Sequence, residues 1–312
     1  MSNLRPLFLT AASVAGICFT GGASALDNGH TPVASDGAPV TLRLAAADAT
    51  APRGVSAFAG SDAAFDALSA ASAPAALSGT VRPMIGSAPE SVIGPDGRTK
   101  ITNTTVFPYR AIVQITRLDG STTWGCTGWL IGKDTVMTAG HCVHPGGAGK
   151  SFYPRTAFTM RAARNGTYVP SVCTATRLYS VTGWTNGGSS NYDYGAIKLN
   201  CNIGSTYGWF GYYWQSASLT GTPATVTGYP CDKGFDTMWT MSGSINTTQT
   251  YRVYYPMDTY GCQSGSPVWR VHPTYGRAGM AVHTNGGTSL NSGTRITQSV
   301  YNNMQTWKNA AK

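Results

Sequence analysis

Three short segments of this 312-residue chain carry side chains suited to joint acid–base and nucleophilic chemistry. Thr138-Ala139-Gly140-His141-Cys142 places an imidazole just after an apolar run, and Asn191-Tyr192-Asp193-Tyr194-Gly195-Ala196-Ile197 places a carboxylate at the entry to another. Gly261-Cys262-Gln263-Ser264-Gly265-Ser266-Pro267 holds a serine in a tight glycine-containing loop before a third. A serine hydroxyl attacks an amide only if a base takes its proton, and the amine leaves only if that proton is handed on. His141 is the residue type for both transfers, Asp193 for fixing its tautomer and stabilising the imidazolium, and Ser264 for the attack. The backbone N–H groups of Cys262 and Ser264 occupy suitable positions for an oxyanion hole. Taken singly, each side chain reads as a surface histidine, a turn aspartate or a turn serine. Their order and context give them joint meaning.

Such residues need a scaffold, and the sequence reads as strands. Runs rich in Val, Ile, Thr, Tyr and Trp recur at Ala111 to Thr116, Gly128 to Ile131, Thr135 to Ala139, Ala196 to Leu199, Ala224 to Tyr229, Tyr251 to Tyr255, Pro267 to Val271 and Gly279 to His283. Gly-Gly, Asn-Gly and Asp-Gly pairs separate many of them, a spacing that predicts antiparallel sandwiches or barrels. At the C-terminal end Val300, Met304 and Trp307 fall at i, i+4 and i+7 with polar residues between, predicting one amphipathic helix docked on the body. The composition, 42% apolar with 38 glycines and 11% charged residues, suits a loop-rich globular protein and excludes a mainly disordered one. No P-loop, dinucleotide fingerprint, zinc-type Cys/His spacing or internal repeat is present. Nucleic-acid binding would rest on charge alone, so no nucleic-acid partner is expected.

The chain changes character near residue 90. All eight Trp and all sixteen Tyr lie beyond it. Residues 1–90 hold four basic and six acidic side chains, leaving eighteen and seven for residues 91–312, a net +11. The later 222 residues should bury on the order of 70% of their unfolded surface, as one large domain or two of about 100 residues. Residues 1–25 have Arg5, an apolar run from Leu7 to Thr20 and Ala23-Ser24-Ala25, the pattern of a secretory signal cut at Ala25-Leu26. That run is too short to span a bilayer and no later one is longer, so a secreted protein without a membrane anchor is expected. Residues 26–90 have eighteen Ala, scattered Pro and Gly, and no Cys, Trp or Tyr. This composition can hardly offset its chain entropy by burial, and reads as a low-complexity pro-segment or linker. Six cysteines remain beyond the signal, an even count that suggests three disulfides in an oxidising compartment. Glu occurs once in the whole chain, at Glu90, where about a dozen would be expected in 222 ordinary residues. Either composition has drifted, or the chain is selected against cleavage after Glu everywhere but one activation site.

TAGHC, DYGAIKL and QSGSP resemble the chymotrypsin-like serine proteases, and SVIGPDGRTKITNTT, NYDYGAIKL, GYPCDK, MDTYGCQSGSPV, AVHTNGG and GTRIT resemble the secreted glutamyl endopeptidases of the Bacillus and staphylococcal V8 type. The resemblance spans residues 91–312 and implies an all-β fold of two antiparallel six-stranded barrels with the active site in the cleft between them. Residues 91–203 would form the first barrel, 204–295 the second and 296–312 a C-terminal helix. His141 and Asp193 would come from the first barrel and Ser264 from the second. It further implies cleavage at Glu90-Ser91, a mature end at Ser91, and a specificity histidine at His283, with Thr284 and the Gly286 backbone helping to line the pocket and the new Ser91 α-amino group near it. An imidazole there can donate to a glutamate carboxylate, whose charge in turn favours the protonated ring. His144 and His272 lack such a context and are expected on the surface.

Two departures from the Bacillus-type pattern stand out, because Cys262 and Cys231 occupy positions that are glycine there. Both being Gly to Cys, they suggest a Cys231–Cys262 bridge, with Cys262 strained by about 1–3 kcal/mol if its position requires φ > 0. Cys126–Cys142 resembles the family bridge beside the catalytic histidine, a loop worth roughly 3 kcal/mol, and Cys173–Cys201 is left over. The expected function is therefore a serine endopeptidase cutting after Glu, more weakly after Asp, whose partners are protein substrates and its own pro-segment. It is expected to act as a monomer and to require no metal or organic cofactor. A structural Ca²⁺ is left open, without an acidic loop to argue for it. The alternatives are a same-fold endopeptidase of different or broader specificity, and an inactive homologue that binds anionic surfaces through its positive charge. Sequons stand at Asn103, Asn165 and Asn246.

Overall fold

The computed structural model describes residues 28–42, 55–62, 80–84 and 90–312. The expected signal segment 1–25 and its Ala25-Leu26 boundary lie outside the described residues. The first sheet closes on itself. Strand Ile112–Asp119 pairs with Thr122–Gly132, which is followed around the ring by Thr135–Thr138, Gly195–Leu199, Cys173–Val181 and Phe158–Ala162, and the last returns to Ile112–Asp119. This is a six-stranded antiparallel barrel. The second sheet runs through Thr247–Thr248, Arg252–Tyr255, Asn291–Arg295, Gly276–Asn285, Pro267–His272, Pro223–Gly228, Trp239–Ser244 and Thr99–Lys100, with Gly211–Gln215 added at Gly276–Asn285. Among the described residues its two end strands do not pair, so it curls as a half-barrel rather than closing.

Burial explains the difference. In the closed barrel Gly195–Leu199 is buried at all five positions, as a strand with neighbours on both edges and a filled interior must be. The outer strand Trp239–Ser244 of the second sheet is partly to fully exposed along its length. The two sheets share a core where Trp129 of the first stacks edge-on against Phe210, which meets Trp269 of the second. The expected C-terminal helix is Gln298–Asn309, capped by the Thr297 side chain, and Val300, Met304 and Trp307 are its buried stripe. Trp307 packs on Tyr179 and Tyr194 of the first barrel. Lys198, buried and paired with buried Asp134, also donates to the Lys308 carbonyl and so fastens the helix end. Among the described residues no helix is long and apolar enough to cross a membrane.

The described parts of the low-complexity stretch pair with strand edges of the body. Pro32–Ala34 pairs antiparallel with Cys173–Val181, Val55–Phe58 antiparallel with Gly211–Gln215, and Val81–Pro83 parallel with Thr122–Gly132. Asp36 pairs with Arg177, and Asp62 with Arg110. Strand addition takes its hydrogen bonds from an already ordered partner, so a segment with little to bury can still pair with the body.

Candidate active site

The barrel brings His141 to Asp193 by strand register. His141 lies in the 3₁₀ turn Gly140–Cys142 that follows strand Thr135–Thr138, and Asp193 precedes strand Gly195–Leu199. These strands pair antiparallel with Gly195 opposite Thr138, so the end of one meets the start of the other. Asp193 Oδ1 accepts the His141 backbone N–H at 2.9 Å, and Oδ2 lies 2.8 Å from Nδ1. The Thr294 hydroxyl of the second sheet donates to the Asp193 carbonyl at 2.9 Å. Both catalytic candidates are buried. Burial by itself would lower the His141 pKa, but the Asp193 charge and hydrogen bond, helped by Glu90, raise it.

Ser264 is held by the loop between Tyr260 and strand Pro267–His272. Thr127 of the first barrel donates its N–H to the Ser264 carbonyl and its hydroxyl to the Cys262 carbonyl, each at 2.9 Å. Gly265 has φ 89°, and a Cβ there would stand 2.1 Å from the Thr127 carbonyl oxygen, so only glycine lets the loop approach so closely. Its N–H donates to the His283 carbonyl at 2.7 Å, while the His283 N–H donates to the Ser266 carbonyl at 2.9 Å. The nucleophile loop and the His283 strand are thus one hydrogen-bonded unit. The Ser264 hydroxyl bonds to Oε1 of Glu90, and the backbone of Met84 lies against the buried His141 ring. The structure therefore joins His141 to Asp193 but directs Ser264 at the pro-segment.

Cys262 has φ 80°, a region that favours glycine, and is bonded to Cys231. The other two bridges are Cys126–Cys142 and Cys173–Cys201. With a sequence separation of 31, the Cys231–Cys262 bridge contributes roughly 3–4 kcal/mol in the chain-entropy description. C231S should lower stability to urea unfolding by about that amount, and adding C262G should recover about 1–3 kcal/mol by relieving the backbone. A further loss in the double variant would mean that Cys262 is unstrained.

His283 is fully buried, with the Tyr255 hydroxyl 2.6 Å from Nδ1. Burial, and then the positive charges of His141 and Arg252, push its pKa down to about 3. The ring is neutral near pH 7, and with Tyr255 donating to Nδ1 its Nε2 carries the hydrogen, which faces the Ser292 backbone carbonyl. Beside it Thr284 Oγ1 donates to Asn285 Oδ1 at 3.0 Å, while Gly286 lies partly exposed. Ser91 is held by Asn291, whose Oδ1 accepts the Ser91 N–H at 3.1 Å and whose Nδ2 donates to the Ser91 carbonyl at 2.7 Å; the Thr259 N–H donates there too. Burial raises the Glu90 carboxyl pKa to about 7 against the opposing pull of His141.

The sequence reading missed Tyr255, Asn291 and Arg252, which sit in strands without a distinguishing local pattern. It also misplaced His144, which is 2% exposed, accepts from the Gly146 N–H and packs against Phe152. Phe152 packs edge-on against that ring, and Trp184 donates its Nε1–H to the His144 carbonyl. His272 is partly exposed and stacks on Tyr275. As for metals, Cys126, His141 and Cys142 are the one cluster of possible ligands among the described residues. Both sulfurs are bonded to each other, so the cluster does not fit an ion.

A model of the trypsin-like peptidase domain matches residues 126–273. The chain is 49% identical over 225 residues to a Bacillus subtilis protein named extracellular metalloprotease, covering 71% of each chain. It is 48% identical over 231 residues to the glutamyl endopeptidase of Bacillus licheniformis, covering 72% of this chain and 71% of the relative. A solved structure of a Glu endopeptidase in complex with MPD superposes with a TM-score of 0.63 at 34% identity, covering 70% of this chain and 100% of that one.

Proposed function

Because the chain belongs to the glutamyl endopeptidases among the trypsin-like serine peptidases, we propose that it cuts peptide bonds on the carboxyl side of glutamate by a His141-Asp193-Ser264 triad. The observation that carries this reading is the buried His141–Asp193 pair, 2.8 Å between Nδ1 and Oδ2, facing a serine loop bonded through its backbone to the His283 strand. With Glu90 withdrawn, Ser264 Oγ gives its proton to His141 Nε2 and attacks the carbonyl carbon. The Cys262 and Ser264 N–H groups stabilise the oxyanion, and His141 then protonates the leaving amine. Water, deprotonated by the same imidazole, releases the acyl group. The chemistry requires no metal or organic cofactor.

The substrate Glu side chain would lie on the His283 Nε2 donor, flanked by Thr284 and the Gly286 backbone. A desolvated donor left unmatched by Leu or other side chains makes the pocket selective. The protein is secreted as a precursor in this reading, and cleavage of Glu90-Ser91 by another molecule activates it. The burial of Glu90 against Ser264 supports latency before cleavage. Cleavage turns the Ser91 N–H on Asn291 into an α-amino group, adding positive charge near the pocket.

The test is mass spectrometry of secreted protein incubated with a denatured protein mixture, beside an S264A control. Cuts after Glu that vanish in the control, with Ser91 as the mature end, are expected. Triad-dependent cuts after other residues would overturn the assignment of His283 while leaving an endopeptidase.

A further inference from the structure

Resting on the glutamate reading, a further question is where the pocket's permanent charge comes from, since His283 is neutral when empty. Arg252 opens strand Arg252–Tyr255 and is 5% exposed. Its Nη2 donates to Thr284 Oγ1 at 3.2 Å, Asn285 Oδ1 at 2.9 Å and Ser292 Oγ at 2.6 Å, and its Nη1 donates to the Ser190 carbonyl at 2.5 Å. All four acceptors are neutral, and no carboxylate among the described residues forms an ion pair with it. Buried Arg98, by contrast, is matched by Asp96 and Asp232, and buried Lys198 by Asp134. Buried Arg161, Arg164 and Arg295 too are held by neutral acceptors, but these are Thr116 for the first, Gln114 and Gly166 for the second and the carbonyls of residues 215–217 and 249 for the third, none of them beside His283.

The acceptors of Arg252 have a common location. Ser190 begins the turn that ends at Asp193, and Thr284 and Asn285 directly follow His283. Taking a guanidinium out of water without a counter-ion is costly, and a ligand carboxylate that enters the same low-dielectric region offsets that cost. A neutral isostere cannot. We propose that Arg252 is a specificity-determining residue, a fixed buried cation that favours an acidic substrate side chain at His283 while its fork holds the Thr284-Asn285 wall against the Ser190 turn. It acts through field and positioning, and takes no part in bond making.

The experiment compares mature wild type, R252M and R252K on matched peptides with Glu or Gln before the cut. Wild type should prefer Glu. R252M should lose at least about tenfold more kcat/KM on the Glu peptide than on the Gln peptide, whereas R252K should keep the Glu/Gln ratio within about threefold of wild type even if both rates fall. Equal losses on both peptides in R252M would leave only a structural role and overturn the proposal. If R252M does not fold, R252K decides, because a tenfold collapse of its ratio would show that guanidinium geometry rather than charge selects. A wild type indifferent to Glu and Gln would instead remove the glutamate reading itself, and the role of Arg252 with it.

Discussion

Replacing Asp193 by Asn should lower kcat/KM of the mature enzyme by roughly 10⁴-fold with the fold retained. Asp193 accepts two hydrogen bonds from one residue, the His141 backbone N–H and the Nδ1 side of the ring. An asparagine has one oxygen for those two donors. If it keeps the backbone bond, its amide N–H must face Nδ1, and that selects the tautomer with hydrogen on Nε2. Such a ring cannot accept the Ser264 proton. A second effect has a definite sign. The base works only as neutral imidazole, and the Asp193 charge raises the His141 pKa against burial. Without that charge burial dominates, so the acid limb of the residual kcat/KM profile should move to lower pH. Stopped assays across pH, with urea unfolding as a control, check both statements. A loss below about tenfold would remove Asp193 from the proposed triad.

Latency of the precursor should depend on pH. The Glu90 carboxyl, buried against Ser264, has its pKa raised to about 7, and His141 beside it is also raised. The Glu90 shift means that the docked state binds more protons than the undocked one, whereas His141 is raised mainly by Asp193, which stays beside it in both states. Docking is thus favoured fully at acid pH, and that advantage is lost as pH rises through about 7. For Glu90 the raised pKa corresponds to a difference of about 3 kcal/mol, roughly a hundredfold in the docking equilibrium. An S264A precursor, which cannot cut itself, should therefore be cleaved at Glu90-Ser91 by mature enzyme far faster at pH 8 than at pH 5, after normalisation to a free peptide spanning residues 87–92. The normalisation removes the protease's own pH dependence. A ratio flat across this range would show that Glu90 is not protonated in the docked state.

Much of the architecture was legible because it is written locally. The 3.6-residue spacing of Val300, Met304 and Trp307 specifies a helix with one apolar stripe wherever it docks, and the strand runs bounded by glycine pairs specify β structure. The contexts of His141, Asp193 and Ser264 were likewise visible within a few residues of each. The solitary Glu90 was visible as a count. Other features had no local sign. Val81–Pro83 pairs with a strand formed by residues 122–132, and its own composition says nothing of that partner. His144 was expected on the surface because its burial depends on Phe152 and Trp184 closing around it.

The same division runs through the site. The sequence by itself determined which side chains are available for nucleophilic catalysis, in what order, and where the chain's one glutamate stands. Only the tertiary structure decided that Glu90 covers Ser264, that His283 is uncharged behind Tyr255, and that Arg252 has no carboxylate partner among the described residues. Residue type and spacing act over one or two turns of chain. Protonation and charge compensation are set by desolvation and by fields summed over every neighbour the fold brings near, many of them more than a hundred positions away.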